Sequence, residues 1–213
     1  MTPNFAQSVD PIFLYVLDLL ERVDEGRPAD AKEERIKIRL LIDQGEAIAG
    51  ATPDWELAKY AIVSWIDEVL TDAPWDGNEW WSNNVLEMEL FNTRLCNERF
   101  YEKAQEASAR SHRDALEVYY ICVVLGFRGF YVDPNLAGSF TQAYGLPPTL
   151  EGWAKQTSLA IRLGQGRPSL AGPQRDIPGA PPLKSRPLVV WSWLGAVFLA
   201  ALNVLYFVMV FER

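Results

Sequence analysis

Asp67 and Glu68 are the residues of this chain best placed to do chemistry. Two neighbouring carboxylates can share a proton, hold a cation or receive a basic partner. On a helix, however, adjacent side chains diverge by about 100°, so the two do not converge on one proton or one metal. Acid–base catalysis would need a further group. The single histidine, His112, falls at a helix start in a charged loop, where a solvated role is the simpler one. Cys96 and Cys122 lie within apolar helical patterns and lack metal-type spacing, which points to buried thiols in a reducing compartment. One histidine and two such cysteines cannot close a metal site. The chain has no G-x-S-x-G elbow, no Gly-Lys-Ser/Thr phosphate loop and no H-E-x-x-H helix. The residues point away from an enzyme, with no cofactor or metal expected. The alternative from another class is a hydrolase using Asp67 or Glu68 with His112.

The helix that carries the pair is well signalled. Thr52-Pro53-Asp54 offers an N-cap, a proline at the first helical position and an acid at the positive end of the dipole. Trp55, Ala58, Ile62, Trp65, Ile66 and Val69 then share one face, and Tyr60, Ser64, Asp67, Glu68 and Thr71 the other. Before it, Val9, Ile12, Phe13, Val16, Leu17, Leu20 and Val23 mark a first helix closed by Gly26, and a second runs from about Ala31 to Ala49. After it, Pro74-Trp75-Asp76-Gly77-Asn78 reads as a turn leading through Trp80 and Trp81 to helices at about 82–92 and 97–107. Trp75, Trp80 and Trp81 have no obvious helical face to bury. They are read equally as an exposed partner-binding loop and as a loop packed on the bundle.

The stretch Ala115–Tyr131, preceded by Ser111 as N-cap, carries one charge between Leu116 and Leu125, at Glu117. A helix apolar all round is buried on several faces, and about ten apolar residues are too few to cross a bilayer. It reads as the central spine of the domain, ending at Gly126 and Gly129 in an aromatic turn. Asp133-Pro134 and Pro147-Pro148 break the chain before a last soluble helix, which Thr149 caps and Leu163 ends. No stretch alternates as a strand would, and no internal repeat is evident, so the fold expected is all-α.

Of 213 residues, 1–163 carry 15 Lys and Arg against 26 Asp and Glu, a net charge of −11, whereas residues 164–186 carry 4 against 1. An acidic body argues against nucleic acid, which needs clustered cations, and leaves basic protein partners open. The N-terminal MTPNFAQSVD has neither a basic n-region nor an apolar h-region, so no signal peptide is expected. Residues 164–187 are ten parts Gly or Pro in 24 and read as an extended, flexible linker. Residues 188–211 hold no Asp, Glu, Lys, Arg or His. As a helix they span roughly 36 Å, enough to cross a bilayer. Lys184 and Arg186 before this span put the large domain in the cytoplasm and leave residues 212–213 as a short periplasmic end. Ser192, Ala196 and Ala200 recur every four residues and Asn203 is polar near mid-span, a pattern that suits helix–helix packing or a homodimer through the membrane helix.

The run W-I-D-E-V-L from Trp65 to Leu70, then Trp75, Trp80-Trp81, Leu90-Phe91 and L-E-V-Y-Y-I-C-V-V-L-G-F-R-G-F-Y, resembles the TssL family, also called DotU or IcmH. These are small inner-membrane subunits of type VI secretion systems, with a counterpart in type IVB systems. The resemblance covers about residues 5–163 and extends to the tail anchor. It implies a hook-like cytoplasmic domain of two small helical bundles with a cleft between them. It also implies a membrane complex with TssM-like and TssJ partners, docking of the baseplate through TssK and TssE, and no small-molecule substrate. The family's acidic pair falls on Asp67 and Glu68, towards the cleft and in a partner-binding role. The competing reading is that either carboxylate caps or salt-bridges a neighbouring loop, for example at Arg128. The chain departs from the family pattern at Cys96-Asn97-Glu98-Arg99 before Phe100-Tyr101, and at Phe130 where a basic residue is usual. The resemblance favours type VI over type IVB.

Overall fold

The computed structural model describes residues 1–27, 29–164 and 186–211, with side chains left undescribed at 186–190, 208, 210 and 211. Met1–Pro168 and Ser169–Arg213 are separate units. The expected linker falls almost wholly outside the described residues, as do 212–213.

The regular elements among the described residues of the first unit are all helical: α1 (Pro3–Asp24), α2 (Ala31–Ala49), α3 (Pro53–Asp72), α4 (Asn78–Asn83), α5 (Leu86–Phe91), α6 (Cys96–Ser108), α7 (Asp114–Val124), a 3-10 turn at Gly129–Val132, α8 (Pro134–Tyr144) and α9 (Leu150–Gly164). The starts follow the capping chemistry. Asp30 accepts from the N–H groups of Lys32 and Glu33 at 2.9 Å each, and Thr52 Oγ1 accepts from Trp55 N–H at 3.2 Å.

The organising element is α3, a correction to the expectation that the 115–131 helix is the spine. Twelve of the 20 residues of α3 are buried, and it packs on α1, α2, α4, α5, α6 and α7. Its polar-looking face is buried too, because hydroxyls and a carboxylate there find partners: Tyr60, Ser64 and Asp67 are at most 3% exposed. Helices α1 and α2 pair with each other and pack on it, α6 and α7 also pack on it, and α9 packs on α7. Buried residues from Phe5 to Ile161 join in one continuous core rather than two. A tie far apart in sequence closes the first pair: Glu34, 3% exposed, accepts from Tyr15 Oη and from Arg22 Nη2 at 3.2 Å, and pairs with Lys37 at 3.1 Å.

The segment Asp114–Val132 is long and apolar enough by composition to cross a membrane. Here it is core: α7 buries Ala115, Leu116, Val118, Tyr119, Cys122 and Val123 against α3, α6 and α9, and stops at Val124. Arg113, without a side-chain cap, precedes it, so Ser111 does not have the N-cap role expected. Gly126 and Gly129 then take φ of +111° and +54°, conformations that only glycine adopts cheaply.

In the second unit, α10 (Arg186–Phe211) is a 26-residue helix. Its described side chains, Trp191, Trp193, Phe198, Leu199 and Tyr206 among them, are exposed within the unit.

Candidate partner-binding site

The helical pitch of α3 sends its two carboxylates to different loops. Asp67 Oδ1 accepts from Leu86 N–H at 2.8 Å and Trp81 Nε1–H at 3.0 Å, and Oδ2 accepts from Glu87 N–H at 2.8 Å. A carboxylate from α3 thus caps the start of α5, whose own N-cap position, Val85, has no side chain able to do so. Glu68 Oε1 accepts from Arg128 N–H at 2.7 Å and Oε2 from Gly129 N–H at 3.0 Å. The Arg128 guanidinium reaches instead to Asp72, at 3.4 Å. The pair is divided, as the sequence spacing requires, and each member fastens one loop to α3.

Burial sets their charge. It pushes the Asp67 carboxyl up to about 6 although three hydrogen bonds pull the other way, and it raises Glu68 against the Arg128 and Gly129 N–H groups. The same environment pushes the Cys96 thiol well up, and Glu87 and the two acids of α3 reinforce it, so the thiol stays protonated.

Between these anchors lies a cleft of about 330 Å³, lined by Asp67, Glu68, Thr71, Asp72, Val85, Cys96, Asn97, Gly129 and Val132. Asp67 forms its buried floor, Glu68 is half-buried, and Asp72 and Asn97 are exposed at the rim. The accessible chemistry is a pair of carboxylates beside apolar Val85 and Val132. That arrangement can receive an amine or guanidinium, and its one thiol, Cys96, is held protonated. His112 lies exposed in the α6–α7 loop and, among the described residues, forms no hydrogen bond or ion pair with either carboxylate.

The tryptophans separate into different roles. Trp81 is wholly buried, tied to Asp67 and flanked by Trp75 and Trp80 with ring centroids at 6.4 and 6.5 Å. Of the two equal readings of the tryptophan loop, Trp81 takes the packed one, and it is not an exposed partner-binding residue. Residues 78–83 form a helix, α4, and that helix has the inward face that a loop lacks. Trp75 and Trp80 are half-buried. Trp75 donates Nε1–H to Leu70 O at 2.8 Å, and the Arg35 guanidinium stands about 6.0 Å from the Trp80 ring. In α10, Ser192, Ala196, Ala200 and Asn203 are exposed within the unit, and Asn203 Nδ2 lies 3.5 Å from Leu199 O, four residues back along the helix.

Glu87 is the residue that sequence reasoning missed. It is 1% exposed and accepts from Tyr60 Oη at 2.7 Å, Thr93 Oγ1 at 2.6 Å, and the N–H groups of Leu95 and Cys96 at 3.1 Å each. In the sequence it is one of several acids between Glu79 and Glu98, and no local pattern marks it as the one turned inward. Together Asp67 and Glu87 hold the wall of the cleft that runs from α4 to the start of α6.

A family model described as type VI secretion system protein DotU matches residues 4–211. The chain belongs to the DotU family. The match extends through α10, so the helical unit and the C-terminal helix belong to one family pattern. The family description names type VI secretion, which the resemblance favoured. Among solved structures, the cytoplasmic domain of TssL from Acinetobacter baumannii superposes with a TM-score of 0.59 at 23% identity, covering 76% of this chain and 99% of that one. That likeness shows the fold. A comparison with curated proteins gives no match.

Proposed function

We propose that this DotU-family chain is a non-enzymatic subunit of the inner-membrane complex of a type VI secretion system. In this reading α10 spans the membrane once, with the helical unit in the cytoplasm and the C-terminus in the periplasm. The helical unit docks the cytoplasmic baseplate, through TssK- and TssE-like proteins, and a TssM-like and TssJ-containing complex completes the assembly. The observation that carries it is the family match running from the helical unit to the end of α10. The apolar, exposed surface of α10 supports the anchoring half. The acidic cleft supports the docking half: Glu68 and Asp72 at its mouth suit Lys or Arg from a partner.

Asp67 acts in this reading by shaping the cleft rather than by touching the partner, while Trp75 and Trp80 are the aromatic anchors still within a partner's reach. Ser192, Ala196, Ala200 and Asn203 supply the packing face for a second α10. The test is co-purification from detergent-solubilised membranes. Asp72→Lys with Glu68→Gln should abolish recovery of the baseplate partners while the TssM-like protein is retained. Unchanged recovery of both would overturn the docking role of the cleft. A loss of secretion on substituting His112 alone, with the fold intact, would turn the reading towards a hydrolase.

A further inference from the structure

The acidic helical unit carries one face of the opposite character. On α9, Lys155, Leu159, Arg162 and Leu163 fall within about 100° of one another by helical pitch. The opposite side, with Trp153, Thr157 and Ile161, is buried against the domain. Leu159 is 51% and Leu163 81% exposed, and neither Lys155 nor Arg162 forms an ion pair among the described residues. The end of this helix is buttressed: the Arg113 side chain lies across Gly164, so close that a Cβ there would meet its Cγ at 2.4 Å, and Arg113 Nη1 donates to the carbonyl of Arg110 at 2.9 Å. Arg113 extends the cationic character into the α6–α7 loop.

Other exposed apolar side chains keep different company. Leu14 and Leu17 on α1 sit among Asp10, Asp18 and Glu21. Ile36 and Leu40 on α2 sit with acids and cations together, Glu33 and Asp43 beside Lys32, Lys37 and Arg39, of which Lys37 pairs with Glu34 and Arg39 with Asp43. Leucines flanked by unpaired cations are the composition that lies in a membrane interface, with the apolar side chains entering the acyl boundary and the cations meeting anionic headgroups. The chain leaves α9 directly into residues 165–185, where the basic residues outnumber the acidic before α10 begins.

We propose that the exposed end of α9, through Lys155, Leu159, Arg162 and Leu163, seats on the anionic lipid surface of the membrane that α10 crosses. The inference rests on the anchoring reading above. The seat makes the helical unit a surface-bound body rather than one tethered only by its C-terminal helix.

The experiment uses the full chain in nanodiscs containing phosphatidylglycerol, with a nitroxide at Leu163→Cys in a Cys96→Ser background. Reference labels are placed at Lys32→Cys on α2 and Val197→Cys on α10. The ratio of collision rates with oxygen and with a water-soluble nickel chelate should be several-fold higher at 163 than at 32. It should fall to the level of 32 in nanodiscs of phosphatidylcholine alone, and in the Lys155→Glu, Arg162→Glu variant. A ratio at 163 equal to that at 32, with 197 reading as hydrocarbon, overturns the seat and leaves the anchor standing. An aqueous reading at 197 overturns the anchor and the seat with it. A label at 163 shielded from both reagents assigns the face to a protein neighbour and also overturns the proposal.

Discussion

At the scale of single residues, buried carboxylates carry the organisation of the site, and their titration separates their roles. The folded-state value of Asp67 is raised, to about 6 from an ordinary 3.8, so the native state holds its proton more tightly than the unfolded chain. Its contribution therefore favours folding at low pH and is lost as pH rises through that window, by about 3 kcal/mol at most. Burial also works against the charge of Glu34, but hydrogen bonds from Tyr15, Arg22 and Lys37 outweigh it and hold that carboxyl below its ordinary 4.5. Its contribution is present above that value and is lost as pH falls through the lowered one. Thermal melts across pH 4 to 7 should show the margin of wild type over Asp67→Asn narrowing as pH rises. The margin over Glu34→Gln should stay full from neutrality down to about pH 4.5 and be lost only when the melts are carried below it, through the lowered value. Parallel pH profiles for the two variants would contradict these assignments. Trp81→Ala removes a wholly buried indole and should cost about 3–5 kcal/mol, read as a large drop in melting temperature. Trp75→Ala removes a half-buried one and should weaken partner binding more than it lowers the melting temperature.

At the scale of elements, close approach explains why particular glycines sit where they do. A Cβ on Gly45 of α2 would lie 2.6 Å from both the Ser8 carbonyl of α1 and the Trp55 ring of α3. Gly45→Ala should therefore push α2 away from its neighbours and destabilise by more than about 1–3 kcal/mol, the range for an overpacked core, checked by denaturant midpoints. Gly129 combines φ of +54° with a built Cβ 2.9 Å from the Asn97 carbonyl, at the N–H that Glu68 accepts. Substituting it should loosen the cleft as well as the fold, so partner recovery should fall together with stability. Helix positions and several caps were legible here: the Thr52-Pro53 start, the breaks at Gly26 and Gly50, and the burial of Leu116, Val118, Tyr119, Cys122 and Val123 follow from local chemistry, whereas Val124 of the same apolar run is 61% exposed. The run 78–92 was legible only in outline, because a break at Asn84 between two six-residue helices is held by Asp67, some 20 residues earlier, and not by a local signal.

At the scale of the whole molecule, charge separates the acidic helical unit from the basic stretch and apolar helix that follow it. Removing residues 186–213 should release the helical unit from membranes, measured by fractionation, while its binding to baseplate partners is retained. The amino-acid sequence by itself determined the all-α class, the divergence of Asp67 from Glu68 and the apolar length of the C-terminal helix. These are consequences of helical pitch, capping and side-chain polarity, and they need only neighbours along the chain. Only the tertiary structure decided that α3 is the hub, that Trp81 and Glu87 face inward, and that Asp67 is spent on Leu86, Glu87 and Trp81. Those outcomes depend on which distant backbone donors arrive beside a buried acid, and partners so remote in the chain leave no periodic trace in it.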